Sequence, residues 1–267
     1  MKTRIISALL GIPLAIFLIF YGSWPLVLTV LFCCLIGQKE FFYAFKSIAK
    51  PLSIIGYGAT IIYIFFVLPR ETYLLLFLTA LILILLVSLV FLYPKRSMID
   101  LGITFFGFFY VTFLFSHILL LRNMSDGIFL VWLIFISAWG SDTGAYFIGV
   151  GFGKHKLCPN LSPNKTIEGA IGGLLGGSLL CYLYGWIVQP YMTTVGEGIS
   201  FPLLCLILGL CGAALSQLGD LSASATKRFT KIKDYGDLIP GHGGILDRFD
   251  SILFTAPFVY YAIKYFG

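Results

Sequence analysis

Apolar residues run along this chain in long blocks, at about 5–22, 25–45, 51–69, 72–93, 101–121, 127–151, 167–190, 199–221 and 249–266. A block of roughly 18 or more such residues can cross a bilayer as an α-helix, the one single-segment structure that satisfies every backbone group in hydrocarbon. The pattern predicts an all-α polytopic membrane protein of about nine transmembrane helices. The first block follows Lys2 and Arg4, a basic flank like that of a signal peptide. No small-residue cleavage site follows it and further blocks do, so it reads as a retained first helix. The linkers 94–100 and 122–126 are short and polar, which suits helical hairpins. Two others, 152–166 (FGKHKLCPNLSPNKT) and 222–248 (SASATKRFTKIKDYGDLIPGHGGILDR), hold most of the concentrated polar chemistry.

Composition and charge sharpen this picture. The 267 residues are 59% hydrophobic and only 11% charged, where soluble domains carry about 25% charged residues. So few charges do not cover a water-facing surface. With the N-terminus in the cytoplasm, nine spans put fifteen of the eighteen Lys and Arg residues on the cytoplasmic side. Only Arg70, Arg122 and Lys264 fall outside. That asymmetry is the positive-inside rule, and an odd number of spans puts the C-terminus outside, with both polar linkers facing the cytoplasm. The expected home is the inner (plasma) membrane. The net charge of +6 is then a property of membrane-edge loops and calls for no nucleic-acid partner. Five of the six cysteines fall in apolar blocks and none forms a C-x-x-C pair. They read as small apolar residues, not as a disulfide framework or zinc site.

The acids divide the chain. Eight of the twelve lie between 142 and 250, so residues 1–126 read as a membrane scaffold and 127–267 as the catalytic half, with loops 152–166 and 222–248. Asp142 interrupts an apolar block within Trp139–Tyr146. A carboxylate inside a span is costly and normally faces a partner or a polar cavity. It serves either to hold helices together or in a functional site. Asp220 closes the eighth block, and a helix running on through Lys231 aligns Asp220, Ser224, Lys227 and Lys231 on one stripe. That stripe is either a solvated face or a metal ligand beside phosphate-binding cations. Asp247 and Asp250, three apart at the start of the ninth helix, face the same way. They either complement the helix dipole or bind a cation. Carboxylates from three helices without a histidine cluster favour Mg²⁺, with room for a second metal ion, since that ion takes few carboxylates plus substrate phosphates.

Complementary features lie close by in the sequence. Gly241, Gly243 and Gly244 permit a loop whose N–H groups point at an anion, and the next helix start adds more donors. Lys227, Arg228, Lys231, Lys233 and Arg248 supply cations. Ser162–Gly169 offers Lys165 near a helix start, without the glycine spacing of a P-loop. Gly172/Gly176 and Gly173/Gly177 are small-xxx-small pairs, better explained by close helix packing than by catalysis. His117 reads as a packed residue, and His155 lies in a basic loop. Two classes remain open on these residues: an enzyme of phosphate chemistry, and an ion-coupled transporter whose pathway Asp142 marks.

Taken in order, the residues of 139–251 resemble the integral-membrane phosphatidate cytidylyltransferases (CDP-diacylglycerol synthases). The resemblance rests on Ser224, Lys227-Arg228, Lys233-Asp234, Pro240, His242-Gly243-Gly244, Asp247-Arg248 and Asp250. Further matches are Asp142–Tyr146, Gly153–Lys156, Ser162–Thr166 and Ser216–Leu221. The family commonly has an acid where this chain has Ala223, and an apolar residue where it has Thr226. The Asp-Gly-x-x-Ala-Arg pattern of the CDP-alcohol phosphotransferases is absent.

The resemblance implies transfer of CMP from CTP to phosphatidate with Mg²⁺, giving CDP-diacylglycerol and pyrophosphate, in a homodimer. It implies Asp220, Asp247 and Asp250 at the metal. Asp220, Asp247, Lys227, Arg228 and Arg248 would serve catalysis. Lys165, Ser224, Lys233, His242, Gly243, Gly244 and Asp142 would bind substrate. A catalytically impaired relative, on account of Ala223, is the variant of this reading.

Overall fold

The computed structural model describes residues 2–193, 200–238, 241 and 243–266. In chain order its helices are α1 (Lys2–Tyr21), α2 (Ser23–Ala44), α3 (Ser53–Ile62), α4 (Leu74–Leu92), α5 (Met98–Gly107) and α6 (Leu114–Arg122). Next come α7 (Gly127–Leu130), α8 (Trp132–Phe152), α9 (Ile167–Val188), α10 (Phe201–Phe229) and α11 (Leu246–Phe266). π-Helical turns at Tyr63–Val67 and Phe108–Phe113 extend α3 and join α5 to α6. All nine apolar blocks fall on helices. Among the described residues six rods are long and apolar enough to cross a membrane: 23–44, 74–92, 98–122, 127–152, 167–191 and 201–229. The Ser53–Val67 rod is apolar but shorter. The protein is an all-α integral membrane protein.

Two local expectations are corrected. The 152–166 linker is not plain loop but an antiparallel hairpin of β1 (Lys156–Cys158) and β2 (Ser162–Thr166), with Lys156 opposite Thr166 and Cys158 opposite Ser162. A turn through Pro159 and Asn160 closes it, helped by the Leu161 N–H donating to the Cys158 carbonyl at 3.1 Å. α10 stops at Phe229 and does not run through Lys231. Lys231 has φ of 59°, a left-handed conformation that a right-handed helix does not continue. Asp220, Ser224 and Lys227 keep their shared stripe, and Lys231 leaves it.

The chain forms two compact units, Met1–Ser116 with Phe229–Arg248, and His117–Arg228 with Phe249–Gly267. The first is built round aromatics. The Phe41 ring lies 4.9 Å from that of Phe45 and 5.7 Å from that of Tyr110. Two of its buried hydroxyls pair with each other, Thr60 and Thr112 at 2.8 Å. That pairing answers the cost of burying polar atoms away from water.

In the second unit α8 and α9 approach backbone to backbone. A Cβ added at Gly140 of α8 would sit 2.9 Å from the Gly177 Cα of α9. One added at Gly177 would lie 2.8 Å from the Ala213 Cβ and 2.9 Å from the Ser137 carbonyl oxygen. Helices in lipid gain little from hydrophobic burial against each other, so such contacts rely on close packing of small residues. The small-xxx-small reading holds.

Gly177→Ala is therefore expected to destabilise the protein by about 1–3 kcal/mol, the usual range for overpacking. Gly58→Ala, in α3 with nothing within 4 Å of the added methyl, is expected to be neutral or slightly stabilising. Thermal unfolding of the two variants in one detergent checks the pair.

Candidate active site

The second unit carries a cavity of about 510 Å³. α8 contributes Asp142, Ala145, Tyr146 and Gly149, whose spacing of three and four residues puts them on one helix face. The hairpin contributes Ser162, Asn164 and Lys165, α9 contributes Gly169 and Ala170, and α10 contributes Gln217 and Asp220. At its polar end the Lys165 Nζ donates to Asp220 Oδ2 in an ion pair whose side chains are about one-third exposed. The Ser224 hydroxyl lies 3.5 Å from Asp220 Oδ1, one turn along α10.

Three features hold this arrangement. Thr166 caps α9 by accepting the Gly169 N–H at 3.1 Å, which fixes the step from hairpin to helix and places Lys165 just ahead of it. Glu168 accepts the Lys154 and His155 N–H groups at 3.1–3.3 Å and lies 2.6 Å from His155 Nδ1, tying the hairpin's base. The Gln217 amide donates to Ser141 Oγ at 3.2 Å and to the Ala170 carbonyl at 3.0 Å, stapling α10 to both α8 and α9.

Asp250 of α11 joins the same group of charges. It lies within electrostatic reach of Asp220, Lys227 and Asp142. Gly219 makes that approach possible, since a Cβ there would fall 2.6 Å from the Asp250 carbonyl oxygen. Three carboxylates and two lysines leave an excess of negative charge that a hard cation would relieve. Position 223, where the resemblance leads one to expect an acid, is a fully buried alanine and adds no carboxylate to the set. Thr226 turns its hydroxyl onto the Ser222 carbonyl at 3.0 Å, which satisfies it within its own helix.

The first unit contains the loop before α11. Its organising residue was missed in the sequence: Glu40 of α2, only 7% exposed. Its Oε1 accepts the Ile245 N–H and its Oε2 the Leu246 N–H, both at 2.9 Å. Gly236 and Gly244 press against its carboxyl group. Asp247 Oδ2 accepts the Tyr235 N–H at 2.8 Å and the Gly244 N–H at 3.1 Å. Gly243 sits behind it with φ of 83°, a conformation that favours glycine.

For three donors this corrects the expectation that the loop and the helix start offer open N–H groups to an anion. The N–H groups of Gly244, Ile245 and Leu246 are engaged by carboxylates of the protein. A signal for Glu40 did exist, as an acid five residues before the end of an apolar block, but nothing in its neighbours pointed 205 positions downstream. Pro240 and His242 lie outside the described residues. Lys233 and Arg248 of this unit are exposed, as is Arg228 of the other, while Lys227 is half-buried.

A polytopic helical protein with an acid–lysine cavity is the kind of membrane protein that can handle phosphate-bearing substrates. The cytidylyltransferase family model matches residues 2–266, and the chain belongs to that family. The phosphatidate cytidylyltransferase of Bacillus subtilis is 32% identical over 280 residues, covering 100% of this chain and 99% of its own. That of Staphylococcus haemolyticus is 36% identical over 264 residues, 96% of each chain. That of a Synechocystis strain is 34% identical over 295 residues, covering 97% of this chain and 95% of its own. The protein is an enzyme, a nucleotidyltransferase. Membership decides between the transferase and the ion pathway that Asp142 alone left open.

Glu40→Ala would strand two buried N–H groups, each costing about 1–3 kcal/mol. Hydrogen exchange of the Ile245 and Leu246 amides is expected to speed up about ten-fold or more, while amides within α9 keep their protection. Unchanged exchange at 245 and 246 would remove Glu40 from this role.

Proposed function

We propose that the enzyme transfers CMP from CTP to phosphatidate, giving CDP-diacylglycerol and pyrophosphate. The observation that carries this reading is the cavity in which Lys165 pairs with Asp220, with Asp142 in its wall and Asp250 within electrostatic reach. The relatives named above carry the same activity in their names.

The chemistry needs little covalent help. A phosphate oxygen of phosphatidate attacks the α-phosphorus of CTP. The new P–O bond forms as the bond to the terminal diphosphate breaks, and pyrophosphate leaves with the electron pair. The nucleophile is already an anion, so no serine or histidine must be activated. The barrier lies in bringing two anions together and stabilising the leaving group, which is work for positioning and fixed charge. Lys165 and Lys227 are assigned to phosphate oxygens in the second unit, and Arg228 beside them. The resemblance implies phosphate-binding roles for Arg248 and Lys233 as well, two exposed cations that flank the loop held by Glu40 and Asp247. Ser224 orients Asp220, and Asp142 shapes the cavity wall.

The donor set fits Mg²⁺. Among the described residues no three or more His, Cys, Asp or Glu side chains gather into a metal cage. Mg²⁺ is commonly bound by one or two carboxylates and completed by phosphates and water, so Asp220 and Asp250 suffice when the nucleotide is present. The family resemblance also assigns Asp247 to the metal. The ion supplies neutralisation of the triphosphate charge. The positive-inside pattern supports an active site facing the cytoplasm at the inner membrane, and the resemblance supports a homodimer, which light scattering in detergent would check.

Purified protein given dioleoyl phosphatidate, labelled CTP and Mg²⁺ is expected to release CDP-lipid and pyrophosphate in equal amounts, and EDTA to stop it. Asp220→Asn should lower kcat about 100-fold or more, a loss typical of removing a charge-stabilising group. Lys165→Met should chiefly raise the KM for CTP. Wild-type turnover in Asp220→Asn would defeat the metal assignment, and a folded wild-type protein that makes no CDP-lipid would defeat the reaction.

A further inference from the structure

A second charged pocket, in the first unit, has no part in the transferase chemistry above. The linker after α2 and the linker between α4 and α5 close round a cavity of about 270 Å³ lined by Lys46, Lys50, Lys95 and Arg96, with Asp100 its one acid. Asp100 offsets one of the four cations, so three positive charges remain in excess, and its own oxygens are held in place by the backbone. It is buried, Oδ1 accepts the Lys50 N–H at 2.5 Å, and Oδ2 accepts the Ser97 N–H at 2.8 Å.

The pocket's walls are fixed before any ligand arrives. Asp100 joins the two linkers, and the Arg96 Nη1 donates to the Lys50 carbonyl at 2.8 Å. A capping box between Ser97 and Asp100 locks the start of α5. Lys46 is braced as well, with its Nζ 3.6 Å from the centroid of the Tyr43 ring. A preformed site of this kind spends little binding energy on ordering its own side chains.

Its location limits what it can take. The pocket lies where α2 and α4 end and α5 begins, and all three belong to rods apolar and long enough to cross a membrane. Phe91, Tyr93, Met98 and Ile99, next to the cationic residues in the chain, are 58–82% exposed. Aromatic and apolar side chains so placed sit at the interface and in the acyl region. Basic pockets between membrane helices are suited to anionic headgroups.

We propose that this pocket binds the phosphate of an anionic phospholipid whose acyl chains run along the exposed face of α4. Free phosphate shares the headgroup's chemistry, but it has no use for the apolar surface beside the cations. The proposal stands apart from the transferase reading, since none of its residues belongs to the candidate active site.

The test is native mass spectrometry of the full chain in a neutral detergent, titrated with dioleoyl phosphatidylglycerol or dioleoyl phosphatidylcholine. The wild type should retain phosphatidylglycerol about ten-fold more tightly, and Lys46→Ala/Lys95→Ala should lose that preference, as expected for removing two cations at an anionic headgroup. Should the double variant unfold, Lys95→Gln alone should still show a several-fold loss. Millimolar inorganic phosphate should leave the bound lipid in place. Equal retention by wild type and folded variants would overturn the proposal, and so would displacement by inorganic phosphate, which would make this a site for soluble anions.

Discussion

The second unit depends on how closely α8 and α9 approach. Lipid chains are as apolar as leucine, so burying a hydrophobic face gives two membrane helices little reason to meet. Glycine removes the obstacle: at Gly140 and Gly177 no side chain stands between the backbones. Once the axes are that near, the Asp142 face of α8 and the Gly169–Ala170 turn of α9 border one cavity. Gln217 then reaches both helices from α10, which brings Asp220 to the same place. The ion pair with Lys165 is a result of this packing, not its cause. An exposed or half-exposed pair contributes at most about 1 kcal/mol, too little to assemble four elements.

Carboxylates do two different kinds of work in this protein. Glu40, Asp100 and Asp247 are buried and face inward on backbone N–H groups. Each pins backbone outside regular helix, where a buried donor left unmet would be costly. Asp142 and Asp220 face a cavity, and Asp250 lies in the same electrostatic neighbourhood. Acids gathered in this way beside lysines suit a site that holds a cation together with phosphates. The distinction separates carboxylates that hold backbone from carboxylates that border a cavity or lie near one.

Much of the architecture followed from one-dimensional rules. Hydrocarbon admits only internally satisfied backbone, so every long apolar block had to be a helix, and all nine blocks fall on helices. The spacing of Asp220, Ser224 and Lys227 placed them on one stripe, and the Gly172–Gly177 run marked a close helix contact. These readings depend on neighbours within a few residues. The end of α10 did not follow from them, because Lys231 adopts a left-handed backbone that nothing in its residue type requires.

Sequence by itself determined the fold class and the membrane setting, since each of these is a matter of local composition and period. Only the tertiary structure decided how the acids divide their work. Asp247 and Asp250 stand three residues apart and were expected to face the same way. One closes on the Tyr235 and Gly244 amides and the other joins the charges around Asp220. Glu40 became visible only when α2 met a loop 205 positions downstream. Contacts of that length depend on how helices pack, and packing in lipid turns on the fit of small residues, which a hydrophobic pattern does not record.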